Sequence, residues 1–241
     1  MSAGARVPLD AVAATSDAHA MVALVRATGF VALAAFVWAF LMWILTGNAE
    51  LTKIQLEADP VVVANVRADA DKLDASRLAL QLDFALLALY GLTFVLLGVL
   101  LTRRGGLWSI AGAAVIAGAI ITCVCDVVEN VRTLGLIPAA GRDAVTQSAL
   151  DALQTVSYAK WAASALTVAL ITLLFAGRGR ARIVVALGFV TAAAALLGLI
   201  GVIGQSGVTL QVYFLLLGLM LPVVGVLFVG WPQKFLRSYS A

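Results

Sequence analysis

Apolar and polar residues alternate along this chain in blocks of about 20 residues, not with the short periods of a soluble amphipathic helix or strand. Windows of about 19 residues place six apolar runs at about 21–46, 77–101, 107–130, 153–176, 182–204 and 209–229. Each is long enough to cross a hydrocarbon core about 30 Å thick as a helix. The punctuation between runs agrees. Gly47 stands where a C-cap belongs after the first run, Arg103-Arg104-Gly105-Gly106 divides the second from the third, and Gly177-Arg178-Gly179-Arg180 divides the fourth from the fifth. Gly135 and Pro138 are expected to stop the third. The first run is too long, and the segment before it too weakly basic, for a cleaved signal peptide. The pattern predicts an all-α fold: a polytopic membrane protein built as a six-helix transmembrane bundle.

Around the bundle the pattern leaves an N-terminal segment (1–20), two long connections (48–76 and 131–152) and a short tail (230–241). The turn between the fifth and sixth spans, 205–208, is short and uncharged. Within the first long connection, Asp59-Pro60 reads as an N-cap followed by the first residue of a further helix. Val62, Val66 and Leu73 would share one face of it, making an amphipathic helix on the membrane rim, with a solvated loop as the alternative.

Composition turns this pattern into an exclusion. The chain is 63% hydrophobic and 12% charged, with a mean hydropathy of +1.05, so little of its 241 residues remains for a water-soluble domain. A soluble enzyme, a nucleic-acid binder and a disordered protein are excluded despite the net charge of +3. The lipid bilayer is the one partner that composition itself implies. Charge then orients the bundle, because cytoplasmic segments carry the excess of Lys and Arg. With both termini in the cytoplasm, that side holds Arg6, Arg103, Arg104, Arg178, Arg180, Arg182, Lys234 and Arg237. The outside then receives Lys53, Arg67, Lys72, Arg77, Arg132 and Arg142, diluted through the long connections among most of the acidic residues. The expected location is the inner, or plasma, membrane. Trp43 and Trp161 would mark its outer interface, and Trp108 and Trp231 its inner one.

The residues that hold cofactors are scarce. The single histidine, His19, precedes the first span, so bis-histidine haem, three-histidine zinc and Glu-x-x-His di-iron sites cannot form within one chain. Cys123 and Cys125, two apart on a helix, point to different faces and are poorly placed to bond each other. No cofactor or metal is expected.

Ionisable residues inside the spans carry what chemistry there is, since each costs at least about 2.5–3.5 kcal/mol at the bilayer centre unless paired or wetted. Arg26 lies near the inner end of the first span and can snorkel to the interface. Asp83 in the second span, Asp126 and Glu129 in the third and Lys160 in the fourth lie deeper. Counted at about 1.5 Å per residue from the cytoplasmic ends, Asp83, Asp126 and Lys160 fall roughly 24–29 Å above the inner boundary. Three helices thus place opposite charges in one layer. Thr122, Asp126, Glu129, Asn130 and Thr133 share a face of the third span, and Ser157, Lys160, Ser164 and Thr167 form a stripe on the fourth. Tyr90 lies two turns below Asp83. The candidate site is therefore Asp83, Tyr90, Asp126, Glu129, Asn130, Ser157, Lys160 and Ser164. Three carboxylates meet one lysine there, and only Arg77 and Arg132, nearer the water, are available to neutralise the remainder. Carboxylates crowded in a poorly hydrated site share a proton or hold a cation.

Sharper motifs are weak. Ser157-Tyr158-Ala159-Lys160 matches the S-x-x-K pattern of serine nucleophiles, but a pattern with two fixed positions is common by chance. Lys160 in the same layer opposes a Ca²⁺ ion on the carboxylates. The fifth and sixth spans are almost wholly apolar, with Gly198, Gly201, Gly204 and Pro222, and read as close-packing scaffold or as contact with a second copy or another membrane subunit. The leading expectation is an outward-facing polar site between the second, third and fourth spans that binds or translocates a small polar solute, a proton or cation, or a lipid headgroup. The alternatives are a membrane-embedded enzyme acting on a lipid or isoprenoid, with Asp126 or Glu129 as acid or base, and a non-catalytic subunit whose cluster ties helices together.

Overall fold

A computed structural model describes residues 9–47, 50–137, 145–175 and 182–239. Its elements are α1 (Leu9–Thr46), α2 (Glu50–Glu57), α3 (Pro60–Ala68), α4 (Ala70–Thr102), α5 (Leu107–Leu136), α6 (Gln147–Phe175), α7 (Arg182–Ile203), α8 (Gly207–Gly230) and α9 (Pro232–Tyr239). The described residues contain six helices long and apolar enough to span a membrane: α1, α4, α5, α6, α7 and α8. The chain is thus an all-α, multi-pass membrane protein. Gly135 lies inside α5, and Pro138, expected to stop that helix, lies outside the described residues.

Several helices run beyond their apolar stretches, because hydrogen bonding and not hydropathy ends a helix. The second span begins at Ala70 instead of 77: Asp69 caps it, its Oδ1 accepting from the N–H groups of Asp71 and Lys72 at 3.1 and 3.2 Å. The fourth begins at Gln147 instead of 153, with Thr146 Oγ1 accepting from Ala149 N at 3.2 Å. The described residues of the long connections are therefore largely helical. Asp59 does cap α3, its Oδ1 accepting from Val61 N at 2.8 Å with Pro60 in the first turn, but that helix ends at Ala68. Leu73 consequently belongs to α4, and the residues α3 buries are Val63 and Val66, with Val62 and Leu73 at the edge of the same cluster. Helix α2 was not foreseen.

Each span packs on the next, and α8 returns to α1, so the six close into a ring, with α4 reaching α6 across it. Close backbone approach fixes two of the crossings. A Cβ on Gly112 would lie 2.6 Å from the Gly98 carbonyl oxygen and from the Thr102 nitrogen, so only glycine permits the α4–α5 crossing. Gly29 and Gly225 do the same for α1 and α8. Large apolar side chains face outward, among them Phe30, Phe40 and Ile44 on α1, Ile120 and Val124 on α5, Phe189 on α7 and Leu215 on α8. Polar ones face inward: Thr28, Thr93, Asp126, Glu129, Asn130 and Lys160 are buried. Lipid accepts apolar surface at no cost, so the usual inside-outside rule is relaxed for apolar groups and holds in reverse for charges.

One end of the ring, called here the loop end, carries α2 and α3. Ile54, Val63, Val66, Leu80, Leu136, Leu150 and Leu153 form a second apolar core there, separate from the main one. Side chains tie this cap to the spans through backbone oxygens. Gln154 Nε2 donates to Leu56 O at 2.6 Å, and the Arg67 guanidinium donates to Leu136 O.

Candidate functional site

One turn beneath that apolar cap, α4, α5 and α6 turn their polar faces toward one another. Helical spacing accounts for the set on each: Asp126, Glu129 and Asn130 lie on one stripe of α5, Ser157, Lys160 and Ser164 on one of α6, and Asp83 and Tyr90 seven apart on α4. The close α4–α5 and α5–α6 packing then brings the stripes within hydrogen-bond reach.

Lys160 is the centre. Its Nζ donates to Asp126 Oδ1 at 3.0 Å and to Glu129 Oε2, so one ammonium bridges two carboxylates a helical turn apart. The other carboxylate oxygens are also taken. Tyr90 OH donates to Asp126 Oδ2 at 2.5 Å, and Ser157 Oγ donates to Glu129 Oε1. Lys160, Asp126 and Glu129 are buried, so these charge-assisted bonds form where water offers no substitute. The Lys160 ammonium also lies 4.9 Å from the ring centroid of Trp161, which packs edge-on against Tyr213 and Phe214 of α8.

Asp83 stands apart. It accepts from Asn130 Nδ2 at 2.6 Å and makes no ion pair among the described residues. It joins the rest through chain adjacency, because Asn130 follows Glu129 on α5. Arg77, expected to help neutralise the layer, instead faces Asp74 on its own helix at 3.6 Å, and Arg132 lies on the exposed side of α5. The layer therefore carries three carboxylates against one ammonium.

The remaining polar residues divide in two. Thr122, Thr133 and Thr167 donate to carbonyls of their own helices, those of Gly118, Glu129 and Ala163, and are satisfied without partners across the bundle. Ser164 leaves the cluster and bonds Tyr213 OH at 2.8 Å. Tyr213 was not anticipated, because it sits in a span that hydropathy reads as apolar throughout. Gly198 and Gly201, read as scaffold, serve contacts within the chain: a Cβ on Gly198 would meet Ala165 and Tyr213, and one on Gly201 would meet Leu210.

This geometry bears on the chemistry. Ser157 donates to Glu129 and not to Lys160, so the S-x-x-K pair does not form the nucleophile–base contact that its spacing suggests. The Lys160 ammonium occupies the space between Asp126 and Glu129 that a bound cation would need. What remains is a lysine shared between two acids, beside a third acid held by an amide. Comparison with known proteins finds no matching family model, no matching curated protein and no matching solved structure.

Proposed function

We propose that the protein binds or translocates a small polar solute across the cell's inner membrane, coupled to proton exchange at the polar site between α4, α5 and α6. In this reading the loop end faces outward, both termini are cytoplasmic, and the site lies in the outer leaflet. The observation that carries it is the mismatch of charge: all four oxygens of Asp126 and Glu129 are occupied around one lysine, and Asp83 adds a carboxyl with no cation of its own. A strut between helices needs one pair. Surplus carboxylates at this depth are costly unless they carry a proton or cation. Proton uptake removes the charge in excess of the lysine and proton release restores it, which ties proton occupancy to the charge balance between α4, α5 and α6.

One observation favours the structural-subunit reading, namely that the bonds at Asp126 and Glu129 form a closed set. Transport decides between them. In liposomes holding a lumenal pH dye, a panel of small amines, amino acids, short carboxylic acids and phosphate should include a compound that drives proton movement with wild-type protein but not with Glu129→Gln. If no compound moves protons faster than in protein-free liposomes, the transport reading fails.

A further inference from the structure

We infer that Asp83 is the carboxyl through which this site takes up and releases its proton, with Lys160, Asp126 and Glu129 forming a fixed charge pattern behind it. The inference rests on the reading of the cluster as a proton-exchanging site and names the residue that does the exchanging.

Hydrogen-bond capacity separates the three acids. A carboxylate accepts at both oxygens. Asp126 has one donor on each, Lys160 and Tyr90; Glu129 has one on each, Lys160 and Ser157. Asp83 has a single donor, a neutral amide on Oδ2, and its Oδ1 has no hydrogen-bond partner among the described residues. Accessibility separates them in the same order. Asp126 is 5% exposed and Glu129 0%, whereas Asp83 is only half-buried. The free oxygen thus belongs to the least buried of the three acids.

The surroundings agree. The charged groups acting on Asp83 are Asp126 and Glu129 from α5 and Lys160 from α6. Tyr90 lies two turns deeper on its own helix. On α1 the Trp38 indole donates to Leu82 O at 2.9 Å, and on α3 Arg67 donates to Leu136 O. The one lysine in range is already shared by the two other acids. An ionised Asp83 is therefore the uncompensated charge, and a proton passing from hydronium to Oδ1, with water left behind, removes it. Asn130 suits both states, since an amide offers N–H₂ to a carboxylate and a carbonyl oxygen to a carboxylic acid. Exchange at Asp83 needs no rupture of the lysine pairs.

The test is a carbon-13 NMR titration of protein labelled at the side-chain carboxyls of Asp and Glu, in lipid nanodiscs between about pH 5 and 8. The resonance missing from Asp83→Asn should move with pH, whereas those missing from Asp126→Asn and Glu129→Gln should stay fixed. If Asp83→Asn does not fold, Asp83→Glu replaces it: the moving aspartate signal should vanish and a moving glutamate signal appear. Movement of the Asp126 or Glu129 resonance with that of Asp83 fixed overturns the assignment and leaves the exchange reading standing. Failure of every cluster carboxyl to move overturns both.

Discussion

Lys160 contributes more by what it prevents than by what it adds. A buried ion pair is a poor source of net stability, but removing one partner leaves the other charged and unpaired in a medium that cannot solvate it. Lys160→Met should therefore destabilise the protein by about 3–5 kcal/mol in a detergent melt. Adding Glu129→Gln should recover part of that loss, because these two residues share a bond and their effects are coupled. Additive losses would mean that they do not touch. Tyr90→Phe and Ser157→Ala each strip one donor from a carboxylate oxygen and should cost less, about 1–3 kcal/mol. At this scale the sequence was informative about depth and silent about partners. The rise of a helix is constant, so counting residues placed Asp83, Asp126 and Lys160 in one layer, and a shared stripe added Glu129 and Asn130. Which acid Lys160 would choose depends on helix rotation and rotamer, which no spacing encodes. Asp83 accordingly pairs with Asn130 and not with the lysine, and Ser164 found a partner, Tyr213, on a helix that seemed to offer none.

At the scale of elements, hydropathy located every span and most of their ends, and misjudged where α1, α4 and α6 begin and where α5 stops. Polar first turns look like loop to a hydropathy window, yet Asp69 and Thr146 supply the caps that let α4 and α6 begin about two turns early. The Asp59-Pro60 start of α3 was legible because a cap and a proline are local signals. Helix α2 was not legible: most of its eight residues are polar, and it is held largely by contacts with α6, which lies far away in sequence. Glycine matters where helices cross. Gly112→Leu places a side chain against the Gly98 carbonyl and should force α4 from α5, since overpacking of a fitted contact costs about 1–3 kcal/mol or more. Gly135→Ala, where an added Cβ meets nothing within 4 Å, is the matched control and should melt like wild type. Equal melting of Gly112→Leu and wild type would show that the crossing is looser than described.

For the molecule as a whole, the short connections made the α4–α5, α6–α7 and α7–α8 adjacencies foreseeable, whereas the closure of α8 onto α1 depends on the Gly29–Gly225 approach between two ends of the chain. Orientation is an independent expectation from the charge bias. With the native cysteines replaced, Ala68→Cys on the loop end should react with an impermeant thiol reagent in intact cells, and Gly105→Cys on the opposite end should not. The reverse labelling would place the site in the cytoplasmic leaflet. The central claim, that the buried acids exchange a proton and do more than brace three helices, has a test that needs no knowledge of the solute. Infrared difference spectra of wild-type protein between about pH 5 and 8 resolve the carbonyl band of a protonated carboxyl from ionised ones. The account predicts a band that grows as the pH falls and disappears on return. A spectrum with no carboxyl response anywhere in that range would contradict it.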